Sequence, residues 1–139
     1  MSTAEVVREM FAAFEADGVD GALDHFATDA MLVVGPETSA EPDTYQGVAG
    51  GRRYFEGFEG ALEEVRFELL DVIEERPAAI IGNVKLSGVG AATRIAVEQT
   101  VLMTFEVRDD KLTRVVAHPT IESARAELGD DRQSTSQPK

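Results

Sequence analysis

The sequence predicts a single α+β domain, in which three N-terminal helices pack on a curved antiparallel β-sheet. Two patterns predict this class. Apolar residues recur at helical spacing in the first half of the chain, whereas the second half alternates between apolar and polar residues, as β-strands do. Short turns join the predicted strands of the second half, and such short connections favour antiparallel pairing. The length of 139 residues is typical of one domain.

The first half supplies the helices. Ser2 and Glu5 have the spacing of a capping box, which predicts a helix from there to Gly18. Asp20 is expected to cap a second, shorter helix. A strand, a long loop and a third helix are predicted at 30–34, 35–46 and 48–62.

Four long strands fill most of the second half. They are predicted at 65–74, 78–87, 95–107 and 111–120. The sequence from Gly129 onward has no apolar residue and is expected to be a disordered tail. The domain is therefore predicted to cover residues 1–128, and the tail residues 129–139.

Composition excludes several classes of protein. The formal net charge of -13 disfavours binding to nucleic acids and to anionic membranes, because both require clustered basic residues. No cysteine is present, and no His or carboxylate cluster has metal-ligand spacing, so neither a metal nor a cofactor is expected. Apolar runs are far shorter than the ~20 residues that cross a bilayer, and no signal peptide is recognisable. We therefore expect a cytoplasmic protein.

One polar residue interrupts the apolar face of the third long strand. Gln99 shares its strand parity with Val101 and Met103, because side chains alternate between the two faces of a strand. A buried amide without hydrogen-bond partners costs about 1–3 kcal/mol. Gln99 is therefore expected to meet a core neighbour, a trapped water or a ligand.

Three segments, in this order, resemble the SnoaL-like branch of the NTF2-like superfamily: FAAFEADGVDGALDHFATDAMLVV, YQGVAGGRRYFEGF and VEQTVLMTFEVRDDKLTRVVAH. The resemblance covers about residues 4–128. It implies a cone, in which the curved sheet wraps the long helix and an apolar pocket opens between them. It also implies a homodimer that pairs through the outer sheet face, where Thr100, Leu102 and Thr104 would lie. An ordinary solvated face is the alternative for these three residues.

The superfamily includes ketosteroid isomerases, polyketide cyclases, dehydratases, epoxide hydrolases and non-catalytic binding domains, so the fold leaves the activity open. Where those isomerases and cyclases carry acid–base residues, the resemblance aligns Met10, Val34 or Gly35, Met103 and Ala117. None of these side chains transfers a proton. The preferred hypothesis is a homodimer that binds a small apolar metabolite in the cone. One alternative is an isomerase, cyclase or hydrolase with non-standard catalytic residues. The other is a dimerisation or partner-binding module with a filled cone.

Ten residues are predicted to line the pocket: Phe14, Met31, Tyr54, Phe58, Phe67, Gln99, Val101, Met103, Ala117 and His118. Aromatic residues at helical spacing are more often core than ligand contacts, and both interpretations stay open for this set. Strand parity favours the outer face for His118, unless a bulge at Pro119 turns it inward. Asp71 is either an inward carboxylate or a surface residue.

Three arginines have two possible roles each, and one histidine has no expected chemical role. Arg52, Arg53 and Arg94 either meet an anionic ligand at the pocket mouth or balance nearby carboxylates. His25 is expected on a solvated helix face.

Overall fold

The computed structural model describes residues 2–34 and 43–128 and contains three helices and six strands. The helices are α1 (Thr3–Leu23), α2 (Gly47–Ala61) and α3 (Ile121–Leu128). The strands are β1 (Phe26–Val34), β2 (Asp43–Gln46), β3 (Leu62–Arg76), β4 (Ala79–Gly90), β5 (Ala96–Arg108) and β6 (Lys111–His118). Most of the predicted loop, 35–42, and the predicted tail, 129–139, lie outside the described residues. Within residues 2–34 and 43–128, no helix is both long and apolar enough to cross a membrane.

The strands form one mixed sheet in the order β2-β1-β6-β5-β4-β3. Four of its pairings are antiparallel, and β1 pairs with β6 in parallel. The α+β class is confirmed, but the expectation of a purely antiparallel sheet is wrong. The short-turn argument governs only strands that are consecutive in the sequence, and β1 and β6 are not.

Helix α1 contains both of the first two predicted helices. Its capping box is present: the Ser2 amide donates to Glu5 Oε1 at 2.8 Å, and the Glu5 amide donates to Ser2 Oγ at 3.1 Å. At Gly18 the backbone has φ 72° and ψ -151°, a region that is essentially restricted to glycine. The predicted break at Gly18 is therefore present, as a kink between the two helical segments of α1.

The main core lies between α1, α2 and one face of the sheet, which we call the inner face. Phe55 of α2 is 2% exposed, and its ring centre lies 5.2 Å from that of Phe14 and 5.8 Å from that of Phe67. Aliphatic residues such as Leu32 and Ile80 surround this aromatic group. The aromatic stripes of the two helices are thus largely core.

Helix α3 covers part of the opposite, outer face of the sheet and was not predicted. Four outer-face side chains are buried there: Ile81, Thr104, Val116 and His118. Ala124 of α3 is completely buried, and α3 contacts β4, β5 and β6. The Ser123 amide donates to Thr120 Oγ1 at 3.1 Å, as expected at a helix start. Thr104 is therefore unavailable to the dimer contact expected of it, whereas Thr100 is exposed.

Candidate functional site

The inner face of β5 changes from buried to exposed along the strand. Phe105 is fully buried and Met103 is 8% exposed, whereas Val101 is half-buried and Val97 is 38% exposed. The pairing of β5 with β4 has no register shift over this stretch, so these side chains share one face. On β5 the inner face is therefore open from Val101 toward Val97, whereas the β4 partners Val84 and Leu86 stay buried.

Gln99 lies in the open part of this face. Its position on the same face as Val101 and Met103 agrees with the predicted strand parity. Its side chain is exposed, however, so the expectation of a buried amide is wrong. Water can satisfy an exposed amide, and the desolvation cost does not arise. Alternation assigns a residue to a face of the strand, but the extent of the helices decides whether that face is covered.

The neighbouring strand β6 completes this wall. Ala117 pairs with Met103 and is 9% exposed, on the inner face. The structure therefore places three predicted lining residues, Val101, Met103 and Ala117, on adjacent strands of one face.

The aromatic residues expected in the pocket form a continuous group. Phe14 is 5% exposed, and its ring centre lies 5.3 Å from that of Phe67. Tyr54 is half-buried, with its ring 5.3 Å from that of Phe55 and 5.4 Å from that of Tyr45. Burial raises the pKa of Tyr54, so its phenol stays protonated at neutral pH. The Phe58 side chain lies outside the described residues.

Met31 does not lie on the inner face. It pairs with Arg114, whose Nη1 is 3.8 Å from the Met31 sulfur, whereas the adjacent Leu32 pairs with Val115 in the core. The expectation that Met31 lines the pocket is wrong. The strand is apolar on both faces, so alternation alone does not indicate which set of side chains points inward.

His118 lies on the outer face, under α3. Its Nδ1 is 2.8 Å from Ser123 Oγ, and its Nε2 is 3.3 Å from Thr104 Oγ1. Burial lowers the pKa of His118, an effect that Glu127 opposes and Arg114 reinforces. The parity interpretation is correct, and the expectation of His118 as a pocket residue is wrong.

The remaining polar candidates lie at the surface. Asp71 is exposed, and its Oδ1 accepts a hydrogen bond from Asn83 Nδ2 at 3.0 Å. This favours the surface interpretation over an inward carboxylate. His25 is half-buried just after α1, and its carbonyl oxygen accepts from the Leu112 amide at 2.8 Å.

The arginines have local partners. Arg52 pairs with Asp20 and Arg94 with Glu63, which agrees with charge balance. The guanidinium carbon of Arg53 lies 4.4 Å from the centre of the Tyr45 ring, in a cation–π contact. Exposed ion pairs such as these contribute about 0–1 kcal/mol each.

A separate groove of about 410 Å³ lies between α1 and strands β3 and β4. Its lining consists of Arg8, Phe11, Ala12, Glu15, Arg66, Phe67, Glu68, Leu69, Lys85 and Ser87. Five of these residues are charged, and Phe67 is the predicted site residue among them. The groove was not foreseen, although Arg8, Phe11, Ala12 and Glu15 have the spacing of one helix face.

Metal ligands are not gathered anywhere in the described ranges. Within residues 2–34 and 43–128, no three His or carboxylate side chains are grouped so that they could hold an ion.

The fold is shared with proteins of known structure. A protein from Catenulispora acidiphila with a ketosteroid isomerase-like fold, in complex with trimethylamine, is 15% identical, with a TM-score of 0.70 over 92% of this chain and 95% of that one. A Mycobacterium tuberculosis protein in complex with estradiol-17beta-hemisuccinate is 14% identical, with a TM-score of 0.71 over 88% of this chain and 97% of that one. SalBIII, an epoxide hydrolase/cyclase-like enzyme of pyran ring formation in salinomycin, is 18% identical. Its TM-score is 0.68 over 83% of this chain and 88% of that one.

The sequence comparisons agree with this fold. None of the curated proteins compared with the chain matches it significantly. The family model described as "SnoaL-like domain" matches residues 7–115, which is most of the chain. The chain therefore belongs to the SnoaL-like domain family, the branch of the NTF2-like superfamily that its three segments resemble.

Proposed function

We propose that this protein binds a small apolar molecule against the open part of the inner face of β5. The observation that carries the proposal is the change of exposure from Met103 through Val101 to Val97. Covering exposed apolar surface contributes roughly 25 cal/mol per Å² removed from water. A ligand that extends the core beyond Val101 gains this contribution without displacing a side chain.

The walls of the proposed site favour an apolar ligand with one polar group. Val101 and Val97 form its apolar floor, where β5 leaves the core. Gln99 lies between them on the same face, and its amide can both donate and accept a hydrogen bond. A carbonyl or hydroxyl group on the ligand is the chemistry that this amide recognises. The groove beside α1, with five charged residues, is less suited to an apolar molecule.

Similar structures support a site for small organic molecules in this fold. Those from Catenulispora acidiphila and Mycobacterium tuberculosis were determined in complex with trimethylamine and estradiol-17beta-hemisuccinate. Their identities of 15% and 14% leave the ligand of this protein open.

We favour binding over catalysis because two candidate proton carriers lie elsewhere. His118 is on the outer face, and Asp71 is exposed and hydrogen-bonded to Asn83. The proposed role of Gln99 is a hydrogen bond to the ligand, without proton transfer. An unchanged ligand recovered after prolonged incubation is the expected result, whereas an isomerised, cyclised or hydrated product would establish the enzyme alternative.

Binding is tested with N-phenyl-1-naphthylamine, a neutral apolar dye whose fluorescence rises in apolar surroundings. Val101→Trp fills the proposed site, and we expect it to weaken dye binding at least tenfold. Ala16→Trp adds the same side chain to an exposed position on α1 and serves as the matched control. Gln99→Ala is expected to leave the dye affinity unchanged and to weaken a competing steroid ketone several-fold, because only the ketone offers the amide an acceptor.

Two results would refute the proposed site. One is the absence of saturable dye binding to the unmodified protein. The other is an equal loss of binding in Val101→Trp and Ala16→Trp, which would assign the loss to the added indole and not to the site.

The proposed functional unit is a homodimer that pairs through the part of the outer face that α3 leaves uncovered. Thr100 is exposed and Leu102 is half-buried there. Sedimentation equilibrium at micromolar concentration is expected to give twice the mass of one chain, and Leu102→Arg is expected to shift it toward the monomer. A monomer mass for the unmodified protein would refute this arrangement.

A further inference from the structure

Helix α3 is held on the sheet by a small buried surface. It has eight residues, and an isolated helix of that length is not stable in water. We call the surface under it the α3 patch, which consists of Ile81, Thr104, Val116 and His118. These four residues are between 0% and 6% exposed. The helix therefore depends on this patch, and the patch depends on the helix for its burial.

His118 is the titratable member of the α3 patch and connects two elements. Its Nδ1 lies 2.8 Å from Ser123 Oγ on α3, and its Nε2 lies 3.3 Å from Thr104 Oγ1 on β5. A neutral imidazole has one donor and one acceptor nitrogen, and a hydroxyl group can serve as the partner of either. The neutral ring is thus fully hydrogen-bonded by two uncharged groups.

We propose that α3 is a pH-controlled cover, which stays docked on the outer face while His118 is neutral and is released when His118 is protonated. Protonation would create a positive charge at a site that is 6% exposed. Neither hydrogen-bond partner of the ring is a carboxylate. Release of α3 returns the imidazolium to water and so removes this cost.

Two charged groups, Glu127 and Arg114, act on the ring, and Glu106 lies beside Arg114 on the neighbouring strand. Arg114 of β6 donates from Nε to Glu127 Oε2 of α3 at 2.6 Å. Glu127 favours the imidazolium and Arg114 disfavours it, and since these two groups are paired with each other, burial is the dominant influence. Glu106 of β5 is half-buried, while β4 contributes the apolar Ile81.

Glu106 responds to acid in the opposite sense. Burial and Glu127 raise the pKa of Glu106, against the effect of Arg114. The folded chain therefore takes up a proton at Glu106 more readily than an exposed carboxyl does, and acid stabilises the docked state through this group. A test of His118 must separate the two groups.

The sign for His118 follows from linkage. Its pKa in the docked state is below the ordinary value of about 6.5, and the released imidazole regains that value. The docking constant is therefore highest above about pH 6.5 and falls as the pH decreases toward the docked-state pKa. Each unit between the two pKa values corresponds to a tenfold loss of docking.

The experiment measures proton uptake and helix release in the same protein. His25→Gln leaves His118 as the one histidine, and NMR follows its imidazole between pH 7.5 and 4.5. Amide hydrogen exchange of Ala124 and Arg125, corrected for the intrinsic rate, reports α3 over the same range. Exchange at Phe105 reports the core. We expect a titration midpoint below 6.5 and an α3 protection factor that falls across it, by up to tenfold for each unit of displacement because Glu106 opposes the loss, with constant protection at Phe105.

Two variants assign the effect. Glu106→Gln is expected to retain the loss of α3 protection, since it removes the opposing group. His118→Gln keeps an uncharged hydrogen-bonding side chain but retains Glu106, so its α3 protection is expected not to fall with decreasing pH and to rise where Glu106 takes up its proton. If His118→Gln does not dock α3 at pH 7.5, the proposal is judged from His25→Gln alone, by comparing its imidazole titration with the pH dependence of its α3 protection. A midpoint at or above 6.5, or α3 protection that does not follow the imidazole titration, would overturn the proposal.

Discussion

The backbone at two glycines predicts opposite effects of the same substitution. Gly18 forms the kink of α1 with a positive φ of 72°, whereas Gly57 lies within α2 and is exposed. A Cβ atom at either position would meet no heavy atom within 4 Å. Contacts therefore do not distinguish the two positions, and backbone conformation does.

The magnitudes follow from this difference. Gly18→Ala places a side chain in a region that is essentially restricted to glycine, at a cost of about 1–3 kcal/mol in the free energy of unfolding. Gly57→Ala removes a glycine from a helix interior and is expected to increase that free energy by about 0.5–1 kcal/mol. For a chain of this size, 1 kcal/mol shifts Tm by roughly 3–4 °C.

The assay is urea and thermal unfolding of both variants and the unmodified protein, followed by circular dichroism. We expect a lower Tm for Gly18→Ala and a higher Tm for Gly57→Ala. Equal shifts of the same sign, or an unchanged Tm for Gly18→Ala, would refute the role given to the backbone at Gly18.

Three further predictions concern the core, the first helix and the phenol of Tyr54. Phe55→Ala is expected to lower the free energy of unfolding by about 3–5 kcal/mol, because the ring is 2% exposed. Leu70→Ala, at a 44% exposed position, should change that free energy by less than ~1 kcal/mol. Urea unfolding of the two variants compares these losses. Ser2→Ala should cost about 1 kcal/mol through loss of the capping box, and Ser2→Thr should retain most of it; equal losses in thermal unfolding would argue against the cap. Tyr45→Phe leaves Tyr54 as the single tyrosine, and its phenolate absorbance is expected to develop above the ordinary pKa of about 10 in the folded chain and near 10 in urea. Because burial raises the pKa of Tyr54, its contribution to stability is present below pH ~10 and lost at higher pH; ionisation at the ordinary value in the folded chain would contradict this.

Local patterns predicted the elements well where one physical cause acts alone. The capping box of Ser2 and Glu5 and the break at Gly18 are both present, because each depends on the chemistry of adjacent residues. The alternation of β5 also placed Gln99, Val101 and Met103 on one face correctly.

Burial was harder to predict because it depends on distant segments. Gln99 is exposed although its cross-strand partner Leu86 is buried, a difference that its own strand does not encode. Met31 could not be assigned to a face because β1 is apolar on both sides. Ile121, Ala124 and Leu128 have helical spacing, which indicates α3 over a short stretch. This helix buries His118 on the outer face.

The parallel pairing of β1 with β6 also constrains how the chain reaches its fold. Leu32 pairs with Val115, so β1 leaves the ribosome long before its partner strand is made. Strands β3 to β6 form consecutive antiparallel pairs and can assemble locally. Closing the long loop between β1 and β6 carries an entropy cost that grows with the logarithm of its length. The last strand to be synthesised therefore completes the pairing of the first, which makes this contact a candidate for the slow step of folding.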